Sequence, residues 1–217
     1  MITFKNVSKR YPNGYVALNN INLSINVGEM VFLTGHSGAG KSTLLKSITA
    51  IERPTSGTIT ISGQNIAQLK SSAIPFLRRK IGIVFQDHKL LFDRSVFDNI
   101  LLPLQISNFD TQTAASRVRA ALDKVGLLKK EKVMPITLSG GERQRLCIAR
   151  AIVHRPAILI ADEPTGNLDI AYARDIMKMF TSFNQVGVTV IISTHDASLL
   201  ENTQHHILSL AQGSLLA

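Results

Sequence analysis

Residues Gly35–Thr43 read GHSGAGKST, a spacing of glycines, lysine and hydroxyl residues that suits a loop wrapped around phosphate groups. Gly35 and Gly38 relieve the backbone of a Cβ where it must curl tightly around phosphate oxygens, and Gly40 lets the chain approach the ligand closely. His36, Ser37 and Ala39 complete the loop, which then feeds a helix whose first N–H groups and dipole favour an anion. Lys41 supplies a point charge to the β- and γ-phosphates, the Ser42 hydroxyl suits Mg²⁺, and Thr43 continues the helix start. A second element, Leu138–Arg145, reads LSGGERQR. There Ser139 is a natural helix N-cap, Glu142 follows three residues later as in a capping box, and Gly140 and Gly141 leave the first amides uncovered. A helix start of this kind can bind its own cap and nothing else, or it can present amides to a second phosphate.

The elements around these motifs set their context. Met30–Thr34 is an apolar, strand-like run entering the loop, and Ser42–Ile51 can continue as a helix. Ile2, Phe4 and Val7, then Ile21, Leu23 and Ile25, alternate in the strand manner. Gly57–Ser62 and Ile81–Phe85 are further strands, and Ile207–Leu210 is expected at a sheet edge. Ala157–Ala161 and Val188–Ser193 are continuous apolar runs, as in parallel strands covered on both faces. Helical patterns occupy Val96–Leu104, Thr113–Val125 and Ser139–His154. The whole reads as one α/β domain, 1–217, with a strand-rich core over roughly 1–85 and 157–217 interrupted by an all-helical insertion over roughly 86–156.

Composition narrows the class. With 45% hydrophobic and 18% charged residues in 217, the chain can bury a core and is not disordered. No stretch reaches the roughly 18–20 apolar residues that cross a bilayer, and MITFKNVSKRY lacks the apolar segment of a signal peptide, so a cytosolic placement is expected. The single cysteine, Cys147, permits no internal disulfide and no cysteine metal cluster, and its apolar neighbours predict a buried thiol. The net charge of +9 is scattered along the chain, and suits a nucleotide, a membrane surface or nucleic acid alike.

The chain resembles the ATP-binding-cassette ATPases over its full length and in that family's order of motifs. Beyond GHSGAGKST and LSGGERQR, Ile158–Glu163 looks like the Walker B strand, Gln86 like the Q-loop glutamine, and Asn167–Leu168–Asp169 like the D-loop. His195 looks like the switch histidine and Tyr11 like the aromatic that stacks on adenine, with Tyr15 as its competitor. The resemblance implies a P-loop NTPase core with an N-terminal antiparallel β subdomain and an inserted helical signature subdomain, using ATP and Mg²⁺. Adjacent carboxylates at a strand end point to opposite sides, so Asp162 would face Mg²⁺ through a water while Glu163 faces the water that attacks the γ-phosphate. Gln86 would serve as a Mg²⁺ or water ligand and γ-phosphate sensor, and His195 would hold Glu163.

In the resembling family, Ser139, Gly140, Gly141 and Glu142 of one subunit cap the nucleotide held by Lys41 of the other, with Asp169 at the same interface, so a homodimer forms on ATP. The mechanical output then passes to a separate integral membrane protein, for which Gln86, Leu90, Leu91, Phe92 and Phe97 could form a groove. The fuller stretches IERPTSG, IPFLRRKIGIVFQDHKLLFDRSVFDN and ADEPTGNLD look like the branch serving bacterial cell division. That implies a peripheral protein on the cytoplasmic face of the inner membrane, at the division septum, controlling wall hydrolysis. Lipoprotein-release and macrolide-export ATPases are the alternative. Cassette proteins acting on nucleic acid insert coiled coils or zinc modules between the two phosphate motifs; none fits here, so no nucleic acid is expected. Arg143 stands where that branch more often carries glutamine, a surface change expected to leave the chemistry alone.

Overall fold

The computed structural model describes residues 1–166, 168–196, 199–200 and 203–216, so Asn167 of the D-loop expectation lies outside the described residues. Alternation at the N-terminus builds an antiparallel sheet from β1 (Ile2–Arg10), β2 (Val16–Ile25), β4 (Ser56–Ile61) and β5 (Gln64–Asn65), in the order β2-β1-β4-β5. Phe4 and Val7 are an odd number of positions apart, yet both are buried in one cluster. A register shift between them, with Asn6 at φ 50°, returns the apolar side to the core.

The continuous apolar runs form a second sheet with β3 (Met30–Thr34), β6 (Ile81–Val84), β7 (Ile158–Asp162), β8 (Thr189–Ser193), β9 (His206–Ala211) and β10 (Ser214–Leu215). Its order is β10-β9-β3-β8-β7-β6, parallel from β9 to β6, with β10 antiparallel to β9. Both faces are covered. Val31, Leu33, Ile158, Ile160 and Ile191 enter one core with the antiparallel sheet and α1 (Lys41–Ile48). Phe32, Leu159, Ala161, Val190 and Ile192 point the other way into a helical core.

That second core is made by α3 (Val96–Ile106), α4 (Thr111–Lys124) and α5 (Gly140–Ile152), which lie between β6 and β7 in the chain, together with α6 (Ile170–Gln185). A short helix, α2 (Ile74–Arg78), precedes β6. Helix α6 lies outside the helical patterns expected from the sequence, although its buried Ala173, Ile176, Phe180 and Phe183 carry the helical period.

Two expectations are corrected. Ile207–Leu210 is not an edge: β9 lies between β3 and β10, because Gln212 and Gly213, both with positive φ, turn the chain back on itself. The first helix ends at Ile48 rather than Ile51, since Ala50 adopts φ 52° and leaves the helical region.

The helical layer approaches the sheet closely at one point. A Cβ on Gly82 of β6 would lie 2.3 Å from the Ala151 carbonyl oxygen and 3.0 Å from Pro156 Cγ. Gly82→Ala is therefore expected to force α5 off the sheet and lower stability by about 1–3 kcal/mol, read as the midpoint of urea denaturation. An unchanged midpoint would show that α5 does not rest on this contact.

Candidate active site

Parallel strands carry their carboxyl ends to a common edge, the place where open α/β sheets bind ligands. Here β3 runs into the 35–40 loop, β6 into Gln86, β7 into Asp162 and Glu163, and β8 into Thr194 and His195. The loop takes positive φ at Gly35, Gly38 and Gly40. Gly40 is also sterically required: a Cβ there would stand 2.4 Å from the Ala17 carbonyl oxygen. It caps α1 without any side-chain acceptor, so the helix's first amides face the cavity for an anion.

A cavity of about 630 Å³, a size suited to a nucleotide, is lined by Tyr15, His36, Ser37, Gly38, Gly40, Lys41, Ser42, Thr43, Gln86, Glu163 and His195. Lys41 is only 6% exposed. Its ammonium donates to the Gly35 carbonyl at 2.7 Å and the His36 carbonyl at 3.2 Å, and lies 3.8 Å from Glu163 Oε1. The same Oε1 is 3.2 Å from His195 Nδ1, and Oε2 accepts from Gln86 Nε2 at 3.1 Å.

The two carboxylates do diverge, but strand alternation is not the cause. Asp162 ends β7, whereas Glu163 has left the strand with φ 48°. The Glu163 amide donates to both the carbonyl and the hydroxyl of Ser193, at 3.1 and 3.0 Å, and the Ser193 hydroxyl donates to Asp162 Oδ1 at 2.5 Å. This turn sends Glu163 into the main cavity and leaves Asp162 in an adjoining crevice shared with Ser42. Sequence reading missed Ser193, whose signal was a hydroxyl at the end of an apolar strand.

The donor set near Ser42 suits Mg²⁺. Hydroxyl, amide and carboxylate oxygens are hard ligands, and too few to enclose the ion, which leaves room for phosphate oxygens and water. Among the described residues no cluster of three or more His, Cys, Asp or Glu forms a protein cage for a metal.

Tyr11 and its competitor Tyr15 lie together at the cavity's rim. Tyr15 lines the cavity and donates its hydroxyl to the Gly38 carbonyl at 2.9 Å. Tyr11 stacks against Tyr15, with ring centroids 6.4 Å apart and planes 16° apart, and its hydroxyl lies 3.4 Å from Thr43 Oγ1. Lys9 Nζ sits 5.1 Å from the Tyr11 ring centroid. Within the loop Ala39 is buried, and neither it nor Gly35 lines the cavity.

Ser139, Gly140, Gly141 and Glu142 do not line this cavity either. They form a complete capping box at the start of α5, with Glu142 accepting from the Ser139 amide and Ser139 Oγ from the Glu142 amide. Arg143 donates back to the Leu138 carbonyl at 2.8 Å. Tyr172 of α6 packs over Gly141, where a Cβ would meet its ring at 2.9 Å, and Asp169 caps α6 through the Ala171 and Tyr172 amides. Of the expected partner groove, Leu90 is buried and Phe97 packs against the helical core, while Phe92 is half exposed.

This loop, this carboxylate pair and this inserted helical layer define an ATP-binding cassette, and the chain belongs to the ABC transporter family, whose model matches residues 18–166. Within that family its similarity lies with the cell division ATP-binding proteins FtsE. It is 55% identical to that of Escherichia coli (strain K12), over 99% of this chain and 97% of the relative. The FtsE of Bacillus subtilis (strain 168) is 44% identical over 100% of this chain and 95% of its own length. Among solved structures, the ATP-binding cassette MJ0796, in a dimeric post-hydrolysis state bound to ADP and Pi, superposes with a TM-score of 0.92 at 34% identity, covering 100% and 97% of the two chains. Likewise cbiO1 of Clostridium perfringens, part of the ABC transporter complex cbiONQ, gives 0.90 at 30% identity, covering 100% and 86%.

The capping box carries a pH signature. Lys130 Nζ lies 2.6 Å from Glu142 Oε1, and that hydrogen bond, followed by the Ser139 amide, holds the Glu142 carboxyl below its ordinary 4.5. A depressed carboxyl contributes stability above 4.5 that is lost as pH falls through its folded value. Lys130→Met is therefore expected to melt below wild type at neutral pH, with the gap closing as the pH drops beneath 4.5. A gap independent of pH would separate Lys130 from the capping box.

Proposed function

We propose that this protein is the ATP-hydrolysing subunit of a cell-division machine, which dimerises on ATP and drives a conformational change in an FtsX-like integral membrane partner. Through that partner it controls cell-wall hydrolysis, working peripherally on the cytoplasmic face of the inner membrane at the septum. The FtsE relatives matched along nearly their whole length support the cell-division reading over lipoprotein release or macrolide export. No helix among the described residues is long and apolar enough to cross a membrane, so the membrane element is assigned to a partner.

The observation that carries the ATPase reading is the single Glu163 carboxylate reached by Lys41, Gln86 and His195 inside a cavity of nucleotide size. Lys41 and the amides at the start of α1 hold the phosphates. Ser42, Gln86 and, through water, Asp162 would hold a magnesium ion, which would supply charge neutralisation to the phosphates. Glu163 accepts the proton of the attacking water, while His195 and Gln86 fix its two oxygens in place. Tyr11 and Tyr15 offer π-faces to the base. Ser139–Glu142 and Asp169, away from this cavity in their own chain, serve the partner subunit's nucleotide. Hydrolysis removes the γ-phosphate that joins the subunits, so the cycle becomes a shift between closed and open dimers.

Glu163→Gln is expected to bind ATP while turnover falls by roughly 10²-fold or more, and to accumulate as a dimer on size-exclusion chromatography with Mg-ATP. Turnover at the wild-type rate would remove Glu163 from its role.

Mixing Lys41→Ala with Gly140→Asp subunits tests the exchange of signatures. Each homodimer lacks a complete site, whereas a mixed dimer holds one, with intact Lys41 facing intact Gly140. Mg-ATP-dependent heterodimers, scored by size-exclusion chromatography of differently tagged subunits, are expected; their absence would mean that each chain closes its own site.

A further inference from the structure

Behind Gln86 the chain adopts a conformation that its residues do not favour. His88 and Lys89 are consecutive non-glycine residues with φ 60° and 48°, each in the left-handed region. Such a pair costs energy and persists only where surrounding contacts impose it. The imposing contacts come from α5. The Arg150 guanidinium donates one N–H to the Lys89 carbonyl at 2.6 Å and another to the His88 carbonyl at 2.5 Å. Burial pushes the Cys147 thiol up to about 12, so it keeps its proton and donates it to the same His88 oxygen at 3.4 Å. The buried Gln144 side chain meets the His88 imidazole one turn earlier on the helix. A planar fork on two successive carbonyls fixes orientation as well as position.

We propose that Arg150 is a positioning residue for hydrolysis: by clamping the His88 and Lys89 carbonyls it sets the turn that delivers Gln86 to Glu163. The clamp has a mechanical consequence. The helix that holds it begins with Ser139–Glu142, so displacement of that first turn by a partner's nucleotide is transmitted along α5 to Arg150, and from there to the amide that contacts Glu163. The inference rests on the ATPase reading, and on Gln86 and Glu163 belonging to the hydrolytic site.

The test is a double-mutant cycle read by single-turnover hydrolysis of Mg-ATP, with nucleotide affinity measured by a fluorescent ATP analogue. Arg150→Met keeps the aliphatic stem and removes the fork. It is expected to slow hydrolysis on the order of tenfold or more with little change in affinity, since small misplacements of a reacting group are costly. In a Gln86→Ala background the same substitution is expected to change the rate by less than about twofold, because the group it positions is already gone. Arg150→Lys, which keeps the charge but loses the fork, is expected to fall between Met and wild type in the wild-type background. If Arg150→Met does not fold, the cycle is run with Arg150→Lys, whose loss must likewise vanish in the Gln86→Ala background. Equal losses in both backgrounds would reveal a purely structural arginine and overturn the proposal, as would no loss in either. Glu163→Gln serves as the control: if it turns over normally, Gln86 and Glu163 do not form the hydrolytic site and the reading beneath the clamp has failed, whereas a dead Glu163→Gln beside additive Arg150 effects sinks only the clamp.

Discussion

A buried lysine cation governs the arrangement of this site. Lys41 is almost fully enclosed, and removing an ammonium from water costs several kcal/mol unless its charge is answered locally. The answer has two parts: loop carbonyls at Gly35 and His36, and the Glu163 carboxylate beyond them. Each part constrains the fold. The carbonyls can converge on Nζ only where the loop takes glycine conformations, and Glu163 can reach it only from a turn just past the end of β7. The same cation that demands these partners is the group proposed to bind phosphate, so the protein's electrostatic need and its proposed chemistry share one solution.

Glu163 then acts as the meeting point of strand ends that are far apart in sequence. Gln86 arrives from β6, Lys41 from the loop after β3, and His195 from the end of β8. Their convergence depends on register. Asp162 pairs with Ser193 across β7 and β8, and that pairing lets one hydroxyl bind the Asp162 carboxylate and the Glu163 amide together. A slip of one residue would turn every side chain of a strand to its opposite face and dissolve the site. Burial on both sides of the sheet forbids the slip, because Val190 and Ile192 fill one core and Ile191 the other.

The helical layer is tied to the site through α5 and the loop after β6. Its α5 starts at the capping box, lies against Gly82 near its end, and touches the loop after β6 through Arg150. Asn99, buried on α3, completes the hold on that connection by bonding the Leu91 amide and carbonyl and the carbonyls of Arg94 and Ser95. A long irregular connection is thus immobilised by side chains that satisfy its backbone groups, as buried polar groups require. One helix therefore spans from the Ser139–Glu142 capping box to the neighbourhood of Glu163.

The features legible in the sequence are those whose physics is local. The phosphate loop needs glycines, a lysine and a hydroxyl within a few positions, and the Ser139–Glu142 box closes across a single helical turn, so both motifs appear in the structure as their residue types demand. Alternating and continuous apolar runs likewise marked the strands and their exposure. Recognition of the family's motif order supplied Gln86 and His195, neither of which carries a local signal of its own. The tertiary structure decided what depends on distant partners. It placed Tyr15 rather than Tyr11 against the cavity, drew β9 into the sheet interior, turned Glu163 out of its strand through Ser193, and joined Arg150 to the chain beyond Gln86. None of these can be read from spacing, because each is fixed by which strand lies beside which and by which buried polar group must find a partner there.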